Sequence, residues 1–285
     1  MPAHYQNVQQ CAISCKFVQA RSILCDSYPV LTSQRKQHIL ELLRRSGQII
    51  AKDLSQELGT SEDTIRRDLR ELAAEGLLQR VHGGALPASP AVGNFAARLN
   101  VATDEKKMIG RAAAAMVQPS QVVILDGGTT AVQIARSFPA ELKATVVTHS
   151  PTIAVELVEH QNIEVILIGG RLFKHSVVAV GAPAIEAISR IQADIYFMGV
   201  TGIHPRSGLT TGDFEEAHIK RALSASAAET IVLASSEKLN AVSPFVIAPM
   251  SEVTGMIVSA NTPRKVLSPF VRLGITITKA PPHNE

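Results

Sequence analysis

The sequence predicts an α/β protein in two parts: a small winged helix-turn-helix, then a larger domain built on a mostly parallel sheet. Three observations carry this. Residues 32–87 hold three short amphipathic helical patterns followed by a glycine-turned hairpin. From residue 104, apolar β-rich runs alternate with helical ones. A Pro-bearing stretch of small residues, "PASPAVGNF" at 87–95, separates the two patterns. The chain has 285 residues, 46% of them hydrophobic, which is enough for two buried cores.

Taken in order, residues 1–31 read as a flexible N-terminal extension. "TSQRKQHILELLRRSG" then places Ile39, Leu42 and Leu43 at helical spacing, with Thr32 or Ser33 able to cap its start and Gly47 its end. "QII" is a short extended piece, and "AKDLSQELG" is a second helix that buries Leu54 and Leu58. Thr60 or Ser61 caps a third helix with an apolar stripe of Ile65, Leu69 and Leu72. With Thr60 as the cap, Asp63 would complete a loose capping box. In "GLLQRVHGGALP" the Gly83-Gly84 pair suits a turn between two strands. The domain boundaries expected are 32–87 for the winged helix-turn-helix (the helix-turn-helix itself about 49–68), 88–103 for a linker and 104–280 for the α/β domain. In that domain "VVIL", "TVVT", "EVILI", "IYFMGV", "TIVLAS", "GMIVS" and "ITIT" read as strands, apolar throughout as in a sheet covered on both faces.

Composition narrows the function. The net charge is only +3, so a nucleic-acid partner must be met by a local patch. Trp is absent and aromatics make up 4%, which disfavours single-strand binding on stacking platforms. Cys11, Cys15 and Cys25 are an odd set confined to the N-terminal arm, neither a disulfide framework nor, without a further ligand, a metal site. No apolar run approaches a membrane span, and "CAISCKFVQARSILC" is too interrupted for a signal-peptide core, so a cytoplasmic protein with no membrane partner is expected.

The helix at "TSEDTIRRDLRELAAEG" carries the first candidate site. A helix-turn-helix sets its second helix in the major groove and reads bases from its first turns. Those turns offer Ser61, Thr64, Arg66 and Arg67, with Arg70 one turn on and Arg80 and His82 on the hairpin within reach of backbone phosphate. The alternative is a solvated charged face in which Arg66 pairs with Glu62. Asp68 is awkward at a phosphate surface and is expected to turn inward, holding Arg66 or Arg67.

The second candidate site lies where ligands bind in open α/β sheets, beyond the carboxyl ends of the strands. These ends read "DGGTT" (126–130), "THS" (148–150), "GGR" (169–171), "VTG" (200–202) and "SSEK" (235–238). Gly127 and Gly128 let the backbone bend so that amides converge on an anion, and Thr129 and Thr130 add hydroxyls. Asp126 suits sugar hydroxyls, and Lys238 a phosphate or carboxylate. Thr148, His149, Ser150, Gly170 and Arg171 complete the expected effector set. "DGGTT" alone also fits a plain strand-to-helix turn. Neither a Walker motif nor G-x-G-x-x-G is present, so no nucleotide cofactor is expected. Glu215 and His218 form only half of a di-iron pattern, so no metal is expected. No nucleophile accompanies His149 or His175. Glu216 and Lys220, on the helix after "GLTTGD", either face the site or merely form salt bridges.

"TIRRDL" followed by "HGGA", with Arg35, Ile39, Leu43, Ser61 and Thr64 to Leu69 at matching spacing, resembles the DeoR family of bacterial sugar-responsive transcription regulators. The resemblance continues through "LDGGTT", "VVTHS", "LIGG", "MGVTGI", "SGLTTGDFEEAHIK" and "SSEK", covering about residues 32–259. It implies a recognition helix at 61–73 and a Rossmann-like, ribose-phosphate-isomerase-like α/β sensor domain. It further implies a phosphorylated sugar or related metabolite as effector and operator DNA as partner, usually with a repressor's role and not an enzyme's; because one winged helix contacts only a short half-site, a homo-oligomer (dimer or tetramer) is expected. Two departures stand out. His149 replaces the family's more frequent Asn, and Ala234-Ser-Ser-Glu-Lys238 replaces Asp-Ser-Ser-Lys; both change polarity at the strand ends. Two further functions fit the same residues. One is a phosphosugar isomerase-like enzyme using Asp126, Glu216 or Lys238 in acid–base roles; the other is a scaffold whose winged helix meets protein.

Overall fold

The computed structural model describes residues 31–282. The three cysteines, and the expected extension apart from Leu31, lie outside the described residues. α1 (Thr32–Ser46) ends as expected at Gly47, whose φ of 72° is left-handed and whose amide donates to the Leu43 carbonyl. Its start differs: the helix begins at Thr32 itself, Leu31 is the cap residue, and no side chain caps it. β1 (Ile49–Ile50) and α2 (Ala51–Glu57) follow. Leu54 is buried, while Leu58 packs half-buried at the core's edge.

Ser61 caps α3 (Glu62–Ala74) by accepting from the Thr64 amide at 3.1 Å. That puts Asp63 at the second helical position, one short of a capping box. Ile65, Leu69 and Leu72 are buried against Ile39, Leu43 and Leu54. Asp68 does turn inward, but its partner is not on its own helix. It is 1% exposed and accepts a two-pronged contact from Arg35 of α1. Arg66 and Arg67, two residues and one residue before Asp68, lie on the exposed side of α3, and only a residue on the facing helix reaches a buried position on α3's inner side.

β2 (Leu78–Val81) and β3 (Gly84–Pro87) form the wing hairpin, and β1 adds a third strand beside β3. The turn is His82-Gly83, with Gly83 at φ 77°. Gly84 is already in the strand, where a Cβ would lie 1.8 Å from the Ile49 carbonyl oxygen. The first of the two glycines is therefore needed for turn geometry and the second for close strand approach.

The segment after the wing is not featureless. It contains α4 (Phe95–Leu99), capped by Asn94, whose side chain accepts from Ala97 N at 2.9 Å. The Ser89 hydroxyl donates to the Thr201 carbonyl, and Val242 N donates to Pro87 O at 3.3 Å, so the segment is stitched to the larger domain.

That domain runs α5 (Thr103–Ala114), β4 (Val122–Leu125), α6 (Thr129–Ala135), β5 (Ala144–Thr148), α7 (Pro151–Glu156) and β6 (Ile163–Leu167). It continues with β7 (Arg171–Phe173), β8 (Val178–Val180), α8 (Ala182–Ile188), β9 (Ala193–Gly199), β10 (Gly202–His204), β11 (Gly208–Thr211) and α9 (Phe214–Ala225). β12 (Ala227–Ala234), β13 (Phe245–Ala248), β14 (Gly255–Ser259), α10 (Arg264–Arg272) and β15 (Thr276–Ala280) complete it. Each of the seven apolar runs supplies one strand of a seven-stranded parallel sheet, ordered β15-β14-β12-β9-β4-β5-β6. One apolar core covers each face. The chain winds outward from β4 through β6, then returns to β9 on the other side of β4. The β4–β9 boundary is thus the topological switch point, where such sheets open a crevice. Among the described residues no helix is long and apolar enough to cross a membrane.

The two wing glycines should respond differently. Gly83→Asn keeps a residue type that tolerates left-handed φ, and its melting temperature should stay close to wild type. Gly84→Ala drives a methyl into backbone and should cost about 1–3 kcal/mol. Equal thermal melts for the two variants would contradict this account of the hairpin.

Candidate nucleic-acid interface and anion cavity

On the winged helix, Ser61, Arg66, Arg67, Arg70, Arg80 and His82 are exposed, and Thr64 is partly so. Arg66 pairs with Glu62 at 2.7 Å along the helix, an exposed contact of the kind worth little in water. Arg66 of α3 and Arg80 and His82 of the wing line one shallow hollow, so helix and hairpin present a single cationic surface. Ser61 and Thr64 share a hydroxyl contact at 2.9 Å at the helix start.

At the switch point the structure gathers a second set. Asp126, directly after β4, is fully buried. Its Oδ2 accepts from the Gly199 amide at the end of β9 at 2.7 Å and from Lys220 of α9; its Oδ1 accepts from the Gly127 amide at 2.8 Å and lies 3.2 Å from His149 Nε2. Burial alone would raise this carboxyl, but Lys220 and His149 overcome it and hold it well below the usual carboxylate range. The hydroxyl of Tyr196, fully buried on β9, is pushed well above its ordinary value by burial and then by the Asp126 charge.

Above Asp126 lies a small cavity walled by Gly127 to Thr130, Gly199, Glu216 and Lys220, with Arg98, Lys106, Glu237 and Lys238 closing it. Lys106 donates to the Arg98 carbonyl at 2.7 Å, Arg98 to the Ser176 hydroxyl at 3.3 Å, and Lys238 to the Leu233 carbonyl at 3.3 Å. Burial pushes Lys238 down to about 8, against the pull of Glu237 and with help from Lys106, Arg98 and Lys220. Burial likewise lowers Arg98, against Glu216 and Asp126, and Lys106, against Glu237. Arg98 Nε and the Thr130 hydroxyl are buried without a hydrogen-bond partner among the described residues. Among the described residues four cations thus stand with three carboxylates around one cavity, with two donors and one acceptor, Glu237 Oε2, left over.

The expected effector residues divide. Gly127, Gly128, Thr129, Thr130 and Lys238 line the cavity. Asp126 lies beneath it, its oxygens already engaged, and so is an anchor of the floor instead of an acceptor for hydroxyls. Thr148, His149 and Ser150 are buried below as well: the Thr148 hydroxyl accepts from Ser150 N at 3.1 Å, and the Ser150 hydroxyl donates to Val177 O at 3.1 Å. Gly170 and Arg171 turn away, because the chain after β6 enters the β7–β8 hairpin; a Cβ at Gly170 would meet Val180 O at 2.8 Å, and Arg171 pairs with Glu215 on the surface. Of the two left open, Lys220 does both things at once, lining the cavity and pairing with Asp126, while Glu216 accepts from the Thr211 hydroxyl at 3.2 Å at its wall. Arg98, Lys106 and Ser176 went unread. Lys106 alone had a signal, sharing the apolar helix face of Ile109 and Ala113.

Two family models match the chain: the DeoR-like helix-turn-helix domain over residues 35–90 and the DeoR C terminal sensor domain over residues 101–260. The HTH-type transcriptional regulator GlpR of Haloferax volcanii is 34% identical over 87% of this chain and 98% of that protein. A putative aga operon transcriptional repressor of Escherichia coli O157:H7 is 31% identical over 86% of this chain and 93% of its own length. The glycerol-3-phosphate regulon repressor of Escherichia coli K12 is 31% identical over 67% and 76% respectively. Among solved structures, ribose 5-phosphate isomerase A from Methanocaldococcus jannaschii aligns at 17% identity and a TM-score of 0.35, over 47% of this chain and 52% of that one.

Asp126→Ala leaves Lys220 charged and unpaired in a buried site. It should cost about 3–5 kcal/mol of stability, and Lys220→Met in the same chain should recover much of that. A wild-type denaturation midpoint for Asp126→Ala would remove Asp126 from the scaffold of the switch point.

Proposed function

The chain belongs to the DeoR family of transcriptional regulators, and from that premise we propose that it represses a carbohydrate-utilisation operon and is released or retained by a phosphorylated sugar bound over Gly127–Thr130. The observation that carries the effector assignment is the cavity at the switch point. Buried cations lower one another's proton affinity there, and Arg98 and Thr130 hold donors with nothing to bond. A phosphate dianion relieves both conditions, because it stabilises the charged lysines and accepts the spare donors.

The exposed arginines of α3 and the wing support operator DNA as the macromolecular partner. One winged helix spans a short half-site, so a dimer or larger homo-oligomer on repeated half-sites is the working assembly, acting in the cytoplasm where the DNA is. Of the acid–base groups the isomerase-like reading offers, Asp126 is engaged with Lys220 and the Gly199 amide, while Glu216 and Lys238 line the cavity; the winged helix on the same chain favours a binding domain without turnover.

Arg67→Ala tests the DNA face. In a mobility-shift titration on the upstream DNA of its own operon, binding should weaken by about 1–3 kcal/mol with relaxed specificity if Arg67 reads a base, or uniformly with a salt slope flatter by about one if it grips phosphate. Unchanged affinity in both Arg66→Ala and Arg67→Ala, with normal melting, would sink the recognition-helix assignment.

The Lys238 shift gives a pH test. The bound anion favours protonated Lys238, and that proton leaves as pH rises through about 8. A phosphomonoester is already dianionic above about pH 6. Calorimetric affinity for a sugar phosphate should therefore fall between about pH 7 and about pH 9, and Lys238→Met should bind weakly with no such slope. Without ligand the sign reverses. The unfolded chain keeps that proton to higher pH, so stability should rise above about pH 8. A flat wild-type binding profile would exclude Lys238 from the anion site.

A further inference from the structure

The cationic cavity is too small for the ligand class just assigned to it. It offers about 30 Å³, and one water needs about 10–15 Å³ of such space. That accommodates a phosphate group and leaves no room for a sugar ring. A second cavity of about 360 Å³ adjoins it. Five residues belong to both walls: Ala91, Arg98, Ser176, Thr201 and Glu216. The far side of the larger cavity is not formed by the sensor domain. It is formed by Ala73 at the end of the recognition helix, by Gly76, and by Leu78 and Gln79 of the wing.

We infer that the effector is a sugar monophosphate of pentose or hexose size that spans both cavities, its phosphate among Lys106, Lys238 and Arg98 and its hydroxylated body between the sensor domain and the winged helix. The inference rests on the phosphosugar reading above. The wall residues suit such a body. Glu216, buried and shared by both cavities, accepts hydroxyl hydrogens in the position once expected of Asp126. Asp213, Ser243 and Gln79 add polar groups, and Phe173, with its ring centroid 5.7 Å from that of His175, offers a flat apolar face of the kind sugars pack against. Arg98 stands at the junction. It comes from α4, in the segment that joins the two domains, and its buried Nε has no partner among the described residues. A ligand bound this way touches the DNA-reading domain directly. Its binding energy then differs between arrangements of the two domains without any relay through the sheet.

The test uses the full chain and two variants, one on each wall. Gly212 lines the larger cavity from the sensor side with no atom within 4 Å of where its Cβ would stand, so Gly212→Phe starts a bulky side chain there without straining the backbone. Gln79→Trp fills it from the wing. Calorimetry is run with inorganic phosphate and with a set of pentose and hexose monophosphates. Wild type should bind at least one sugar monophosphate more tightly than inorganic phosphate. Both variants should hold inorganic phosphate within about twofold and lose the sugar monophosphate by about tenfold or more. Sugar-phosphate affinity within about twofold of wild type in both variants overturns the spanning mode while leaving the phosphosugar reading intact. So does a selective loss in Gly212→Phe that Gln79→Trp does not share, because the body then never reaches the wing. Failure of wild type to bind any monophosphate, inorganic phosphate included, overturns the underlying reading and the spanning mode with it.

Discussion

The arrangement of the sensor domain depends on one buried carboxylate. Asp126 closes the switch point by bonding the Gly199 amide on the neighbouring strand, Lys220 on α9 and the amide of its own successor, with His149 beside it. Each contact fixes a different element: β4 to β9, the sheet to α9, and the glycine turn that opens α6. A buried charge survives only when paired and hydrogen-bonded this fully. Lys220 is consumed in holding Asp126 down. The remaining cations, Arg98, Lys106 and Lys238, then face only Glu216 and Glu237, and that imbalance makes the cavity above them receptive to an anion.

The segment between the domains belongs to both. Its start continues the wing strand into the larger domain through Ser89 and Pro87, and its helix α4 delivers Arg98 into the anion cavity. Lys106 of α5 holds the Arg98 carbonyl, so the guanidinium is positioned by the first helix of the sensor while its backbone leads from the DNA-reading domain. Any ligand that draws Arg98 toward a phosphate pulls on that backbone. In an oligomer of the kind proposed, the winged helices would need no internal rearrangement for this to matter, since their spacing and orientation would decide which half-sites are occupied together.

Much of this was legible in the sequence because it follows from short-range pattern. The seven sheet strands announce themselves as apolar runs, and their polar ends mark one edge. The stripe of Ile65, Leu69 and Leu72 leaves Ser61, Arg66 and Arg67 outside by helix geometry alone. What escaped was set by tertiary placement. A carboxylate after a strand reads as a ligand-binding group, and nothing local tells that a lysine 94 residues later will bury it. "GGR" after β6 resembles a binding loop until the β7–β8 hairpin carries Arg171 to the surface. Arg98 sits in a stretch whose small residues read as linker, and its role comes wholly from where α4 lands. The start of α1, where Leu31 and not Thr32 holds the cap position, is a single-residue shift, and at α3 the choice left between Thr60 and Ser61 falls to Ser61; several residue types compete for each cap.

The magnitudes at the domain boundary bear on how such a protein switches. The Ser89 and Pro87 contacts are neutral hydrogen bonds, each worth about 1 kcal/mol net. A phosphate meeting lysine, arginine and a threonine hydroxyl forms charge-assisted bonds of about 1.5–3 kcal/mol each. The proposed effector contacts are therefore strong relative to either of these bonds, and a difference of one such contact between two geometries is enough to move the population by about tenfold. Linkage makes the effect reciprocal: DNA that selects one geometry of the winged helices must alter affinity for the effector by the same factor. A cavity walled partly by α3 would give that reciprocity a short physical route, since Ala73 near one end of the helix meets the cavity while Arg66 and Arg67 are exposed toward its other end.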